Sequence, residues 1–423
     1  MNDQEKAAFE RVETMTDTVV GHFKDVIAVD TSVPPGLNYD RFVDIVEPKF
    51  QALGFETERV VIPQEHIDKI PLPLEGPRVN LVATRTSPKS NGEKVTIYAH
   101  MDVVPIEEGW THEPFAATVE DGKIFGRGTA DMKGAIASLL TAIEVMDAEG
   151  IEPSYDLIVC ICTDEEIGGY PGIWHLAKEG YVQGHMLCLE GGQDPRISLA
   201  SAGAVDVTVT TIGRSGHSGM NFVAVNAIDG IIPVLNELYA LKLQVEARES
   251  EVPGPAHPDA PSDKMTPMFN LAVINAGRKS NIVPSSCSLI INRRYIPDES
   301  FDDVVSEIRD AIDRGMEKSV AEDVKVEVFH VYPAMKTAGL KGEHTRKMVE
   351  AYKLVHGYSD DDFVASGGSG STDMANVHQE LGWTDIPFSG PGRMDSRAHG
   401  ADEFVRVDDV LAHMKVLIHY LAF

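Results

Sequence analysis

The chain has 423 residues, 43% of them hydrophobic and 24% charged, which is globular composition and too much chain for one ordinary core, so two domains are expected. A formal charge of −29 excludes the basic surface that nucleic acid requires, and any anionic substrate must then be caught by locally placed arginines. No apolar run approaches the roughly 18 residues of a membrane span, and the N-terminus lacks the apolar region of a signal peptide, so a soluble, cytoplasmic protein without membrane contact is expected. The four cysteines make no disulfide framework. Cys160, Cys162 and Cys188 lie in apolar runs, as small buried hydrophobes in a reducing compartment do.

In chain order, residues 1–23 read as an amphipathic helix, and a Pro-rich stretch at 62–77 joins two early strands. Residues 95–99, 157–162 and 186–189 are short, continuously apolar runs of the kind that form buried parallel strands. Between the first two, Ile136, Leu139, Leu140, Ile143 and Met146 recur at helical spacing over 133–148. Strands alternating with helices predict a doubly wound α/β sheet. From about residue 204 the texture changes. Strands at 205–211, 269–274, 287–295 and 324–331, with helices at 225–241 and 301–316, give a βαββαβ order that predicts an inserted α+β, ferredoxin-like domain. A second Pro-rich stretch, 251–267, reads as a long loop inside it. Residues from about 336 return to α/β character and end in a helix at 407–422. The expected organisation is one domain of 1–203 and 335–423, interrupted by a lid of 204–334.

The chemistry gathers at strand ends. The first buried strand ends at His100 and Asp102, the second at Asp164, Glu165 and Glu166, the third at Glu190. Ligands bind outside the carboxyl ends of strands in open α/β sheets, so these groups converge on one crevice. Asp131 stands just ahead of the helix at 133. Taken singly, Asp131 reads equally as an N-cap and residues 164–166 as an acidic helix start. Together they would gather like charges at a cost of several kcal/mol unless a cation joins them. Imidazole and carboxylate without thiolate suits one or two ions of zinc, manganese or cobalt. His100 can ligate through one ring nitrogen while Asp102 accepts a hydrogen bond from the other. The best further histidine late in the chain is His399.

These residues fall within a series of motifs: Ala99-His-Met-Asp-Val-Val-Pro105, Gly126-Arg-Gly-Thr-Ala-Asp-Met-Lys-Gly134 and Thr163-Asp-Glu-Glu-Ile-Gly168. Gly213-Arg-Ser-Gly-His-Ser218, Asn226-Ala-Ile228, Ser280-Asn-Ile-Val-Pro284 and Gly390-Pro-Gly392 follow. In this order, over nearly the whole chain, they resemble the co-catalytic metal hydrolases that include acetylornithine deacetylase, succinyl-diaminopimelate desuccinylase, aminoacylase and carboxypeptidase G. The resemblance implies a metallopeptidase-type catalytic domain with a lid that also dimerises. It implies that Asp131 bridges two metals, completed by His100 and Glu190 on one side and by Glu166 and His399 on the other. It further implies that Glu165 is the general base and that His217 donates to the oxyanion in the partner subunit of a homodimer. Arg294 and Asn281 match positions that grip a substrate carboxylate, and the Asp131–Met132 peptide is expected to be cis. Two departures, Gly219-Met-Asn-Phe222 after Ser218 and Gly367-Gly-Ser-Gly-Ser-Thr-Asp373 late in the chain, fall in pocket loops, so the substrate does not transfer with the motifs.

The expected activity is hydrolysis of an amide C–N bond in a small carboxylate-bearing molecule, as by an N-acyl-amino-acid deacylase or a carboxypeptidase. The alternative is an aminohydrolase acting on an aromatic amine such as 5-nitroanthranilate, which needs the same activated water. A metal-free binding protein would have lost ligands, and here every ligand position is filled. The Gly-rich string at 366–372 lacks a Gly-Lys-Ser/Thr and reads as a pocket wall rather than a phosphate loop.

Overall fold

The apolar runs form the centre of a five-stranded sheet in the computed structural model, which describes residues 1–168, 172–255 and 259–423. Its strands are β1 (Glu56–Val61), β2 (Val79–Arg85), β3 (Lys94–His100), β4 (Asp156–Cys162) and β5 (His185–Cys188), in spatial order β1-β2-β4-β3-β5. β4, β3 and β5 are mutually parallel, whereas β1 and β2 run antiparallel at one side. The parallel strands are buried almost throughout, which is why they carry no alternation. Helix α1 (Lys133–Ala148) is likewise buried nearly all round, enclosed in part by the helix Thr16–Ile27 and the C-terminal helix Val407–Ala422.

These elements belong to a compact unit of Met1–Ser198, Thr337–Ala365 and Asn376–Phe423; Leu199–Lys336 with Ser366–Ala375 makes a second. The second unit is built from β6 (Gly203–Ile212), α2 (Ala227–Val245), β7 (Met268–Ala276), β8 (Ser286–Tyr295), α3 (Phe301–Met316) and β9 (Asp323–Tyr332). Its sheet is antiparallel, in the order β7-β8-β6-β9, with both helices against one face. Val205, Val207 and Val209 of β6 alternate inward onto Ile231, Val234 and Leu238 of α2 and onto Val304 and Ile308 of α3. The helices approach so closely that a Cβ on Gly315 would sit 2.5 Å from Val234 Cα. The mixed α/β fold with an inserted α+β unit is therefore the one expected.

Two local expectations are corrected. Residues 1–23 form not one helix but the start of two, Asp3–Val12 and Thr16–Ile27. The break follows from Thr14, whose N–H and hydroxyl both bond the Arg11 carbonyl, at 2.9 and 2.7 Å, and so compete with continuation of the helix. The string Ser366–Ala375 groups with the second unit, held there by bonds from Ala202 N–H to the Gly368 and Gly370 carbonyls. The long loop at 251–267 is pinned by Pro253–Lys264 pairing, and part of it lies outside the described residues.

One consequence for stability is measurable. His185, at the start of β5, stacks on His344 with ring centroids 3.6 Å apart and 2° between planes, beside Lys347. Burial first, then His344 and Lys347, push its pKa down to about 3. The folded ring therefore stays neutral at pH 5, whereas in the unfolded chain an ordinary histidine titrates near 6.5. Below that value the unfolded state binds the extra proton, so this contribution to stability is lost as the pH falls. Between pH 7.5 and pH 5 the wild type should lose about 2 kcal/mol more unfolding free energy than His185→Phe, as read from urea titrations. Equal losses in the two proteins would refute the assignment.

Candidate active site

Strand register sets the site. His100 pairs with Cys162 and Tyr98 with Cys188, so residues 163–166 and 189–190 leave the sheet at the same edge as His100. Leu189 N–H still bonds the Tyr98 carbonyl, which extends the ladder and brings Glu190 level with His100. The turn after Glu190 needs glycine, since a Cβ on Gly192 would meet the Gly392 carbonyl oxygen at 2.5 Å.

Asp131 does not cap helix α1; that position falls to Met132, which makes no side-chain cap, and the Asp131–Met132 peptide is cis. The Asp131 carboxylate instead divides between two histidines. Oδ1 lies 3.2 Å from His100 Nε2, and Oδ2 lies 3.2 Å from His399 Nε2. Glu166 Oε2 lies 3.0 Å from the same His399 nitrogen. Ligand atoms of His100, Asp131 and Glu166 all fall within 4.8 Å of one another. Glu165, in the short turn Glu165–Ile167, stands close enough for its charge to raise the pKa of His100.

Asp102 acts otherwise than expected. His100 Nδ1 bonds the Asp102 main-chain carbonyl at 3.1 Å, while the carboxylate is 3.6 Å away. That carboxylate accepts the Glu166 N–H at 2.9 Å, so it fixes the loop carrying Glu165 and Glu166. The same loop is anchored through Asp164, a non-glycine residue at φ 62°. Tyr39 Oη donates to Asp164 Oδ1 at 3.0 Å, and the fully buried Arg78 guanidinium pairs with Oδ2 at 3.4 Å.

A divalent cation fits this donor set. Burial and the neighbouring Asp131 push Glu166 up to about 7, although His399 opposes them, and Asp131 and Glu166 push His399 up to about 10. Glu166 Oε1 and Asp102 Oδ1 are buried with no hydrogen-bond partner among the described residues. Buried acceptors without donors are costly, and a cation relieves that cost. The donors are nitrogen and oxygen only; Cys160 is buried with its thiol pushed up to about 12, outside any ligand role.

The second unit holds the other candidates in two places. His217 Nδ1 accepts the Gly219 N–H at 3.0 Å, so the neutral ring carries its proton on Nε2, as a donor. Asn281 is its neighbour, its carbonyl accepting the Ser218 N–H at 3.1 Å. Arg294 lies at the far end of β8, with Nη1 on Ser371 Oγ at 2.9 Å, and Ser371 in turn donates to the Ala202 carbonyl. Eight residues of antiparallel strand separate Ser286 from Arg294, roughly 27 Å, and His217 pairs beyond the Ser286 end. The structure thus joins His217 with Asn281 and separates both from Arg294.

Residues 96–422 match peptidase family M20/M25/M40. The chain belongs to this family. It is 29% identical over 345 residues to a succinyl-diaminopimelate desuccinylase of Acidiphilium cryptum strain JF-5, covering 79% of this chain and 83% of that one. Among solved structures, an M20 family metallo-carboxypeptidase from Sulfolobus solfataricus superposes with a TM-score of 0.77 at 17% identity, over 100% of this chain and 99% of that one. Human carnosine dipeptidase 1 superposes at 0.76 with 16% identity, over 98% of each chain. The protein is accordingly an M20-family hydrolase that cleaves C–N bonds at a co-catalytic metal site. No helix among its described residues is long and apolar enough to cross a membrane.

Tyr39, Arg78, Arg127 and Glu403 around the metal cluster, and Ser371 beside Arg294 in the second unit, make contacts that the motifs did not assign. Arg127 sits inside the motif at 126–134, where a charge in a Gly-rich loop was the available signal, whereas Glu403 lies outside every motif. Tyr39 and Arg78 offered none.

Proposed function

We propose that this protein hydrolyses the amide bond of a small N-acyl amino acid or peptide whose free carboxylate lies beside the scissile bond. The observation that carries this reading is the Asp131 carboxylate shared between His100 and His399, with Glu166 alongside. His100 and Glu190 would hold one ion, Glu166 and His399 a second, with Asp131 between them; zinc, manganese and cobalt all suit the donors. Bound divalent ions would supply electrostatic activation of the attacking water and of the scissile carbonyl. Glu165 takes the proton from that water and passes it to the departing amine. His217 Nε2–H donates to the oxyanion as the carbonyl becomes tetrahedral. The Arg294 guanidinium grips the substrate carboxylate, exchanging Ser371 for a charge-assisted pair, while Asn281, which lies beside His217 and away from Arg294, would reach the same substrate only from a second chain.

The relatives' names, a desuccinylase, a carboxypeptidase and a dipeptidase, support N-acyl amino acids and short peptides as the substrates to try first. A homodimer is supported by the second unit's surface. β7 is an edge strand whose residues Val273 and Ile274 are exposed, and Ile228, Ile232, Tyr239 and Leu243 are exposed along α2. An unpaired edge beside an apolar helix stripe is what a second copy would cover.

Chelation should abolish turnover, and returning zinc, manganese or cobalt should restore it, with one or two ions per chain by elemental analysis. Full activity in protein shown to be metal-free would end the proposal. The reconstituted enzyme should act on N-acyl amino acids or dipeptides. Turnover of aminobenzoates alone would transfer the assignment to the arylamine class.

A further inference from the structure

We infer that Glu403 and Arg127 are positioning residues that lock the two loops bearing Asp131 and His399 to one another, and so set the affinity of the metal centre. Each bonds the main chain of one of these two residues rather than a side-chain ligand atom. The inference rests on the reading of Asp131 and His399 as metal ligands and asks what holds two residues so distant in sequence to a shared geometry.

Glu403 is fully buried, and both of its oxygens are saturated by one loop. Oε1 accepts the N–H groups of Ala130 at 2.8 Å and Asp131 at 3.1 Å. Oε2 accepts the Gly128 N–H at 3.0 Å and Arg127 Nη1 at 2.8 Å. The Glu403 carbonyl also takes the Gly126 N–H at 2.9 Å. The segment that ends in Asp131 is thus wrapped around a single glutamate.

Arg127 carries the lock to the other loop. Its Nη2 donates to the His399 carbonyl at 3.1 Å, and its guanidinium lies 5.3 Å from the centre of the Trp110 ring. His399 needs such a restraint. It sits at φ 66°, with Arg397 at 58° and Asp402 at 55°, three non-glycine residues in the left-handed region within one loop. Such conformations persist only where the surroundings enforce them. Because the two Asp131 oxygens face His100 and His399 separately, a small displacement of the Asp131 backbone misaligns both pairs at once.

Glu403→Gln tests the lock with little change of shape. Whichever way the amide is turned, its NH2 meets two N–H donors where an oxygen stood. Arg127→Lys keeps a charge for Glu403 and loses the reach to His399. The readout is the dissociation constant of zinc or manganese, measured by calorimetric titration into the chelator-stripped full chain. Loss of a partner that orients a ligand typically weakens metal binding about 10–100-fold, and both variants should fall in that range. Val145→Ala, a core substitution in α1, supplies a stability control: it should lower the melting temperature while binding metal as the wild type does. Variants binding within threefold of wild type would overturn the inference, as would Val145→Ala weakening the metal as much as they do. If Glu403→Gln does not fold, Arg127→Lys decides. A wild-type chain that takes up no metal would instead overturn the metal reading, and this inference with it.

Discussion

Glu165→Gln should fold, keep its metal and lose roughly two to four orders of magnitude in kcat, the usual worth of a positioned general base. The two adjacent glutamates differ in what they touch. Glu166 Oε2 lies 3.0 Å from His399 and its ligand atom belongs to the cluster with His100 and Asp131, so removing it removes a ligand. Glu165 is outside that set, yet near enough to act electrostatically on His100. Glutamine preserves the size and the turn Glu165–Ile167 while removing the basic site. A loss of that size corresponds to about 3–5 kcal/mol in the barrier. Glu166→Gln should behave differently, losing metal as well as rate, so elemental analysis of the two variants separates base from ligand. A loss below tenfold in Glu165→Gln with metal retained would show that the proton is taken by another group.

The elements most legible in the sequence were those with the plainest periodicity. Helices at 133–148, 301–316 and 407–422 match Lys133–Ala148, Phe301–Met316 and Val407–Ala422 to the residue, and the buried strands match within one or two. Clustering of His100, Asp131, Glu166 and His399 was legible for another reason: strand ends in a parallel sheet must converge, and the motifs named which residues to watch. What escaped was tertiary polar bonding. Nothing periodic marks Tyr39 as the partner of Asp164, 125 residues away, or Glu403 as the partner of Arg127, 276 residues away. Asp102 shows the limit from the other side. Its spacing from His100 rightly placed it beside the ring, but the main-chain carbonyl took the ring nitrogen and freed the carboxylate for Glu166 N–H. Spacing along an extended chain fixes neighbourhood, and competition among nearby donors fixes the bond.

Mixing inactive Glu165→Ala and His217→Ala chains should restore activity to about a quarter of wild type. The geometry of the second unit motivates this. His217 and Asn281 lie beyond one end of β8 and Arg294 at the other, roughly 27 Å apart along eight residues of strand. A dipeptide-sized substrate spans only about 7 Å when extended. One substrate can therefore meet an oxyanion donor at His217 and a carboxylate grip at Arg294 only if the two come from different chains. A two-fold dimer formed across the β7 edge and the exposed face of α2 would let each second unit serve its neighbour's centre. In a mixed dimer one site then carries both lesions and the other carries neither. Random pairing makes about half the dimers mixed, and half of their sites are intact, hence the quarter. If His217 serves its own chain, every site keeps one lesion and mixing restores nothing. The phenylalanine beside it sharpens the test. Phe222 is 78% exposed on the same loop, so Phe222→Ser should leave the unit folded. Carried on the Glu165→Ala chain, it can alter the KM of the restored activity only by acting in trans, because the intact site in the mixed dimer is completed by that chain's loop.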